Sequence, residues 1–241
     1  MKLKKPEEKQ RPDLSKISVI YEDNHLIVVN KLPGQIVQGD KTGDTSLAEL
    51  VKAYIKEKYN KPGDVYLGIV HRLDRPTSGI VIFAKTSKAA SRLSEMFREH
   101  KVKKTYWAIT ATRPEGGMGT LTHYLRKNEE KNKSVAKKKP TKGYKEAILD
   151  FEQKSDSDRY YLLEVKLHTG RHHQIRCQLA AIGSPIKGDI KYGAKRTNMD
   201  GSISLHSRTT SFMHPVKKEN MSFTAPVTDD DLWRYFEKEL R

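Results

Sequence analysis

A single cysteine, Cys177, stands among 241 residues. It excludes an intrachain disulfide framework and any zinc site built on a cysteine cluster. It also points to a reducing compartment, the cytoplasm. No run comes near the roughly 18 uninterrupted apolar residues that a membrane span needs. The opening residues, MKLKKPEEKQRPDL, are charged and lack the apolar core of a secretory signal. The chain has no glycine-rich phosphate loop, no internal repeat and no Pro/Gly/Ser-rich linker. Acidic residues are in deficit: 30 Asp and Glu face 46 Lys and Arg, for a net charge of +16. Such an excess points to a polyanionic partner, most often nucleic acid, with an anionic membrane surface or solubility alone as the alternatives. The hydrophobic share of 36% suffices for one sizeable core.

The charge is uneven. Residues 126–145 hold nine basic residues and two acidic ones. They show no apolar periodicity and read as a mobile basic loop or insertion. Lys137, Lys138 and Lys139 in that loop would bind phosphates without sequence preference. The first 16 residues, with six basic and three acidic side chains, read as a charged tail. Residues 17–241 read as one domain.

Residues 17–31 suggest two short strands around an Asp-Asn turn. Ser46 and Glu49 form a capping box that opens a helix reaching Asn60, with Leu47, Leu50, Val51, Tyr54 and Ile55 at helical spacing. Residues 79–84 form a buried-strand run. Ser87 can cap a helix whose Ala89, Leu93, Met96 and Phe97 share a face. Thr105 to Thr110 reads as a strand, and residues 149–167 as two alternating strands around a polar turn at 155–158. Arg171 to Ile182 reads as a helix stopped at Gly183, with Pro185 just beyond. A last helix begins near Thr228 and buries Leu232, Trp233 and Phe236. Strands and helices mix without a βαβ rhythm, which predicts an α+β domain with a largely antiparallel sheet.

Two segments are unusual for a purely structural chain. In residues 68–79 a polar turn carrying His71, Arg72, Asp74, Arg75, Thr77 and Ser78 separates two apolar strands. An aspartate in such a turn commonly just bonds its own backbone. Beside two arginines, however, a carboxylate is held ionised, as covalent or general-base chemistry requires. In residues 167–176, Gly170 turns the chain into a helix whose first turn carries His, Gln and Arg, an anion-binding arrangement. Arg176 on that helix can be aimed rigidly at a carboxylate. His172 and His173 would point to different helix faces, and no carboxylate lies at ligand spacing, so no metal site is expected.

HRLDRPTSG (71–79) resembles the H-R-L-D-x-x-T-S-G signature of the RluA-type pseudouridine synthases. NKLPG (30–34), KTYWAI (104–109) and HTGRHHQIRCQLAAIGSPIKGD (168–189) are similar to three further motifs of that family, in the right order, and the likeness spans residues 17 to about 226. The resemblance implies a curved, mixed, mostly antiparallel sheet flanked by helices, with a cleft across its middle. It also implies an RNA-modifying isomerase acting on structured ribosomal or transfer RNA. In that reaction the N1–C1′ bond of uridine breaks, the base rotates and a C5–C1′ bond forms, with no cofactor or metal.

By position, Asp74 is then the catalytic carboxylate, whether it attacks C1′ or removes the C2′ proton. Arg176 pairs with it. Tyr106 packs on the uracil, and its hydroxyl is a candidate base for the C5 proton. Arg72 enters the gap left by the extruded base. His71, Arg75, Arg171 and His173 complete the expected RNA-binding set, while Thr77, Ser78 and Gly79 hold the loop. Many relatives carry an N-terminal S4-type RNA-binding domain; about 16 residues precede the first strand here, too few for one. A monomer is expected. The competing readings are a non-catalytic RNA-binding or ribosome-assembly protein that keeps the fold, and an RNA hydrolase using His71 or His173, which lacks a second acid–base partner.

Overall fold

The computed structural model describes residues 13–240. Most of the expected charged tail therefore lies outside the described residues, and Leu14–Lys16 form a single 3-10 turn. The elements run β1 (Ser18–Glu22), β2 (Leu26–Lys31), α1 (Leu47–Lys58), β3 (Gly68–Ile69), β4 (Ser78–Ala84), α2 (Ser87–Arg98), β5 (Lys103–Thr110) and β6 (Met118–Asn128). They continue with β7 (Lys133–Lys137), β8 (Lys145–Asp156), β9 (Tyr161–Leu167), α3 (Gln174–Ala181), β10 (Leu205–Met213), β11 (Asn220–Thr224) and α4 (Asp231–Glu239). One sheet of 11 strands has the order β1-β2-β4-β10-β5-β9-β8-β6-β7, with β3 beside β4 and β11 beside β10. The α+β expectation holds: the pairings are antiparallel except where β4 meets β10.

That parallel contact joins two half-sheets. It sets His206 opposite Ser78 and Ser207 opposite Gly79. Gly79 is required there: its φ is +108°, and a Cβ would lie 2.4 Å from the Ser207 carbonyl oxygen. In the first half, alternate residues of β2 and β4 face opposite ways and both faces are covered. Ile27, Val29, Val81 and Phe83 pack under α1 through Leu47, Val51 and Ile55. Leu26, Val28, Ile80 and Ile82 pack against α2 through Ala89 and Leu93. Burial on both faces is why these strands read as unbroken apolar runs. In the second half, Ala108, Leu149, Leu163 and Val165 meet Ile175 and Leu179 of α3. Trp107, Ile109 and Leu162 meet Trp233 and Phe236 of α4 on the other face.

The capping box of α1 is present, with Ser46 and Glu49 bonding each other's backbone. Three local expectations need correction. Thr86, rather than Ser87, caps α2. The helix expected from Arg171 begins only at Gln174, because His173 takes a left-handed conformation with φ +52°. The basic segment 126–145 is only partly a loop: β6 and β7 form a hairpin, pairing Leu125 with Ala136 and Lys127 with Ser134, and residues 138–144, with Lys138 and Lys139, form the loop that leads into β8. The hairpin's alternation escapes a hydrophobicity scan because two of the inward residues, Ser134 and Ala136, are small.

Candidate active site

Asp74 lies in the loop between β3 and β4, and that loop is clasped from below. Lys31, fully buried at the end of β2, donates its ammonium to the carbonyls of Leu32 (3.0 Å), Arg75 (3.0 Å) and Thr77 (2.7 Å). The Gly34 N–H also donates to the Arg75 carbonyl, at 2.9 Å. NKLPG is thus the brace of the aspartate loop. Burial lowers Lys31 to about 7, against the pull of nearby Asp74. Its buried cation went unassigned from sequence. An apolar strand ending in lysine was the signal that could have found it.

Arg176 reaches the same loop from α3, 102 residues away in sequence, and its Nη1 donates to Asp74 Oδ2 at 3.0 Å. The rest of the guanidinium is held by Asp189: Nε donates at 2.7 Å and Nη2 at 2.9 Å, a two-point grip on a carboxylate only 1% exposed. Burial works against the guanidinium charge, yet the bonds to Asp189 and then Asp74 outweigh it and hold Arg176 above its ordinary value. The expected carboxylate partner is therefore shared. Asp189 takes the bidentate face, and Asp74 takes one donor and keeps its side chain 28% exposed. Sequence reading missed Asp189 because it lies beyond the helix that carries the arginine. The arginines flanking Asp74 in sequence are not its partners among the described residues. Arg75 turns outward to an exposed ion pair with Asp44 at 2.6 Å.

The histidines also depart from expectation. His172 and His173 do not diverge: their rings stack with centroids 3.8 Å apart, because the helix starts after them. The Nε2 of His173 stands 3.6 Å from Asp74 Oδ2, and its Nδ1 bonds the Tyr192 hydroxyl at 3.0 Å. Burial, followed by Arg176, lowers His173 to about 2, so it is a neutral imidazole. His71 is committed inward: Nε2 accepts the Ile82 N–H at 2.9 Å and the ring stacks on Phe97. Burial and then Lys104 lower it to about 3.

Tyr106, in β5, is 7% exposed and turned to the same side. Burial pushes its phenol up to about 12; Ser207 opposes this and Asp74 adds to it. Asp74, Tyr106 and Arg176 line one cleft of about 470 Å³. Among the described residues Asp74 is the only carboxylate in its lining, against Arg72, Arg98, Lys104, Arg171 and Arg176. The cleft thus favours a polyanion around a single oriented carboxylate. His71 and His173 also line it, whereas Arg75 and Lys137, Lys138 and Lys139 do not. Those three lysines are exposed at the end of β7 and just beyond it. Among the described residues no group of three or more His, Cys, Asp or Glu could hold a metal ion. None of the helices there is long and apolar enough to cross a membrane.

The profile of the family described as RNA pseudouridylate synthase matches residues 25–181. The chain belongs to that family. This pseudouridine synthase family member is 35% identical over 217 residues to the ribosomal large subunit pseudouridine synthase C of Buchnera aphidicola subsp. Baizongia pistaciae, which covers 87% of this chain and 66% of that protein. It is 30% identical over 238 residues to the tRNA pseudouridine synthase C of Vibrio parahaemolyticus, covering 90% and 92% of the two. Its fold is shared with Human RNA Pseudouridylate Synthase Domain Containing 4, at a TM-score of 0.75 and 22% identity over 94% of each chain.

Proposed function

We propose that Asp74 is the catalytic carboxylate of the uridine-to-pseudouridine isomerisation that defines this family, acting on structured RNA, ribosomal or transfer, in a bacterial cytoplasm. The observation that carries the reading is the 3.0 Å bond from Arg176 to Asp74 at the floor of a cation-lined cleft. One carboxylate oxygen is held by a guanidinium that is itself clamped by Asp189, so the other is free for the ribose. Either attack at C1′ or removal of the C2′ proton begins from this oriented carboxylate. The N1–C1′ bond then breaks, the base turns in place and a C5–C1′ bond forms. The C5 proton leaves and N1 gains one, so no redox partner is required.

Tyr106 supplies a ring to pack on the uracil while it turns, and its hydroxyl is the group for the C5 proton. Arg72, at the cleft, fills the place of the extruded base. Arg171 and the exposed Lys137, Lys138 and Lys139 add phosphate contacts. The named ribosomal and transfer RNA enzymes among its bacterial relatives support this substrate class. The protein acts as a monomer, without cofactor or metal.

The test is tritium release from ribosomal and transfer RNA labelled at uracil C5. The wild type releases tritium. Asp74→Asn, which preserves shape, releases at least about a thousandfold less while binding RNA within about threefold of wild type. Equal release by both proteins removes Asp74 from the chemistry. Release by neither leaves a non-catalytic RNA-binding protein.

A further inference from the structure

Arg72, Arg98 and Lys104 are the cleft cations with no hydrogen-bond or ion-pair partner among the described residues, and of the three only Lys104 is half-buried rather than exposed. Lys104 lies on β5 two residues before Tyr106, so the two side chains leave the strand on the same face. Both line the cleft that holds Asp74. The ammonium stands 5.7 Å from the centre of the Phe97 ring, and a Cβ added to Gly170 would come within 3.7 Å of it. Gly170, having no side chain, leaves that approach open.

Among the described residues no carboxylate, carbonyl or hydroxyl bonds Lys104, and burial alone lowers its affinity for a proton. The other deep cations of the site differ in this respect. Lys31 is saturated by three carbonyls, and Arg176 is paired with two carboxylates. Burying an unpaired ammonium costs free energy. Its position is explained when the counter-charge arrives with the ligand.

We propose that Lys104 receives a backbone phosphate next to the uridine that enters the cleft. The base lies on Tyr106 and its phosphate on Lys104. Residues two apart on a strand are about 7 Å apart, a spacing comparable with that between a nucleotide's base and its phosphate. The pair therefore measures one nucleotide, which the exposed Lys137, Lys138 and Lys139, outside the cleft, cannot do. This inference rests on the uridine-isomerase reading of the cleft.

The full chain is titrated calorimetrically with uridine, uridine 5′-monophosphate and uridine 3′-monophosphate. The wild type prefers one of the two nucleotides over uridine by about tenfold or more. Lys104→Gln binds uridine unchanged but loses that preference to within about threefold, and Lys104→Arg keeps it. On labelled RNA, Lys104→Gln raises the concentration for half-maximal tritium release about tenfold, with the saturating rate within about threefold. Its log–log salt slope of binding falls by about 0.7, the share of one single-strand phosphate.

A wild type with no preference for either nucleotide overturns the proposal. So does a Lys104→Gln protein, folded by circular dichroism, that keeps the preference, or whose saturating rate falls while its half-saturation stays put. If the wild type releases no tritium from any RNA, the isomerase reading fails, and the nucleotide titration still decides the role of Lys104.

Discussion

At the scale of single residues, the site depends on how one guanidinium divides its donors. Asp189 holds Arg176 by Nε and Nη2, leaving Nη1 for Asp74. A lysine carries a point charge and cannot hold both carboxylates in that plane. Arg176→Lys is therefore expected to lower single-turnover tritium release by about a hundredfold despite keeping the charge. Asp189→Asn, which weakens the grip without touching substrate, is expected to lower it about ten- to a hundredfold at unchanged RNA affinity. Wild-type rates in both variants would reduce the grip to packing. The sequence named Asp74 and Arg176 but supplied the wrong neighbours for the carboxylate. Arg72 and Arg75 flank it along the chain, yet Arg75 points away to Asp44. Adjacency along a turn does not set where long side chains end.

At the scale of elements, period was legible for the long helices and buried strands, and capping was legible for α1 but one residue out for α2. The α1 capping box and the buried run of β4 were legible in this way. The β6–β7 hairpin was not, since its small inward residues hide the alternation and its charge resembles a solvated loop. That hairpin stands at the sheet edge, where Lys137 also approaches the Tyr144 ring at 4.9 Å. Replacing Lys137, Lys138 and Lys139 together with glutamine is expected to weaken RNA binding. The log–log salt slope should fall by about 0.7–0.9 for each phosphate that is no longer neutralised. An unchanged slope in a filter-binding series would make these three lysines bystanders.

A second element-scale prediction concerns Glu22 at the end of β1. It is held by Lys58 at 2.7 Å and Lys85 at 2.6 Å, tying β1 to α1 and to the end of β4. Burial opposes its ionisation, but the two lysines outweigh this and lower it from 4.5 to about 2. A depressed carboxyl contributes stability above its unfolded value, and that contribution is lost as pH falls from 4.5 towards 2. Glu22→Gln is expected to cost about 1–3 kcal/mol near pH 7. It should also flatten the acid limb of the melting profile, with Asp23 keeping part of it. A mutant with an unaltered acid limb would show that the lysines do not hold the carboxylate in solution.

At the scale of the whole molecule, the parallel contact of β4 with β10 brings the Asp74 loop beside β5 and α3. Gly79 sits at that seam, and Gly79→Ala would drive a methyl into the Ser207 backbone. A loss of more than about 3 kcal/mol in urea unfolding is expected, and a near-native midpoint would contradict the seam as drawn. Short-range information settled the motifs, the α1 capping box and the α+β class, and singled out the candidate carboxylate, because turn chemistry and side-chain periodicity work over a handful of residues. Only the tertiary structure decided which charges meet. The Asp74 loop rests on Lys31, Arg176 crosses 102 residues to reach it, and Asp189 grips the arginine from behind. Coulomb attraction and hydrogen bonding depend on distance through space, and that distance is set by strand order.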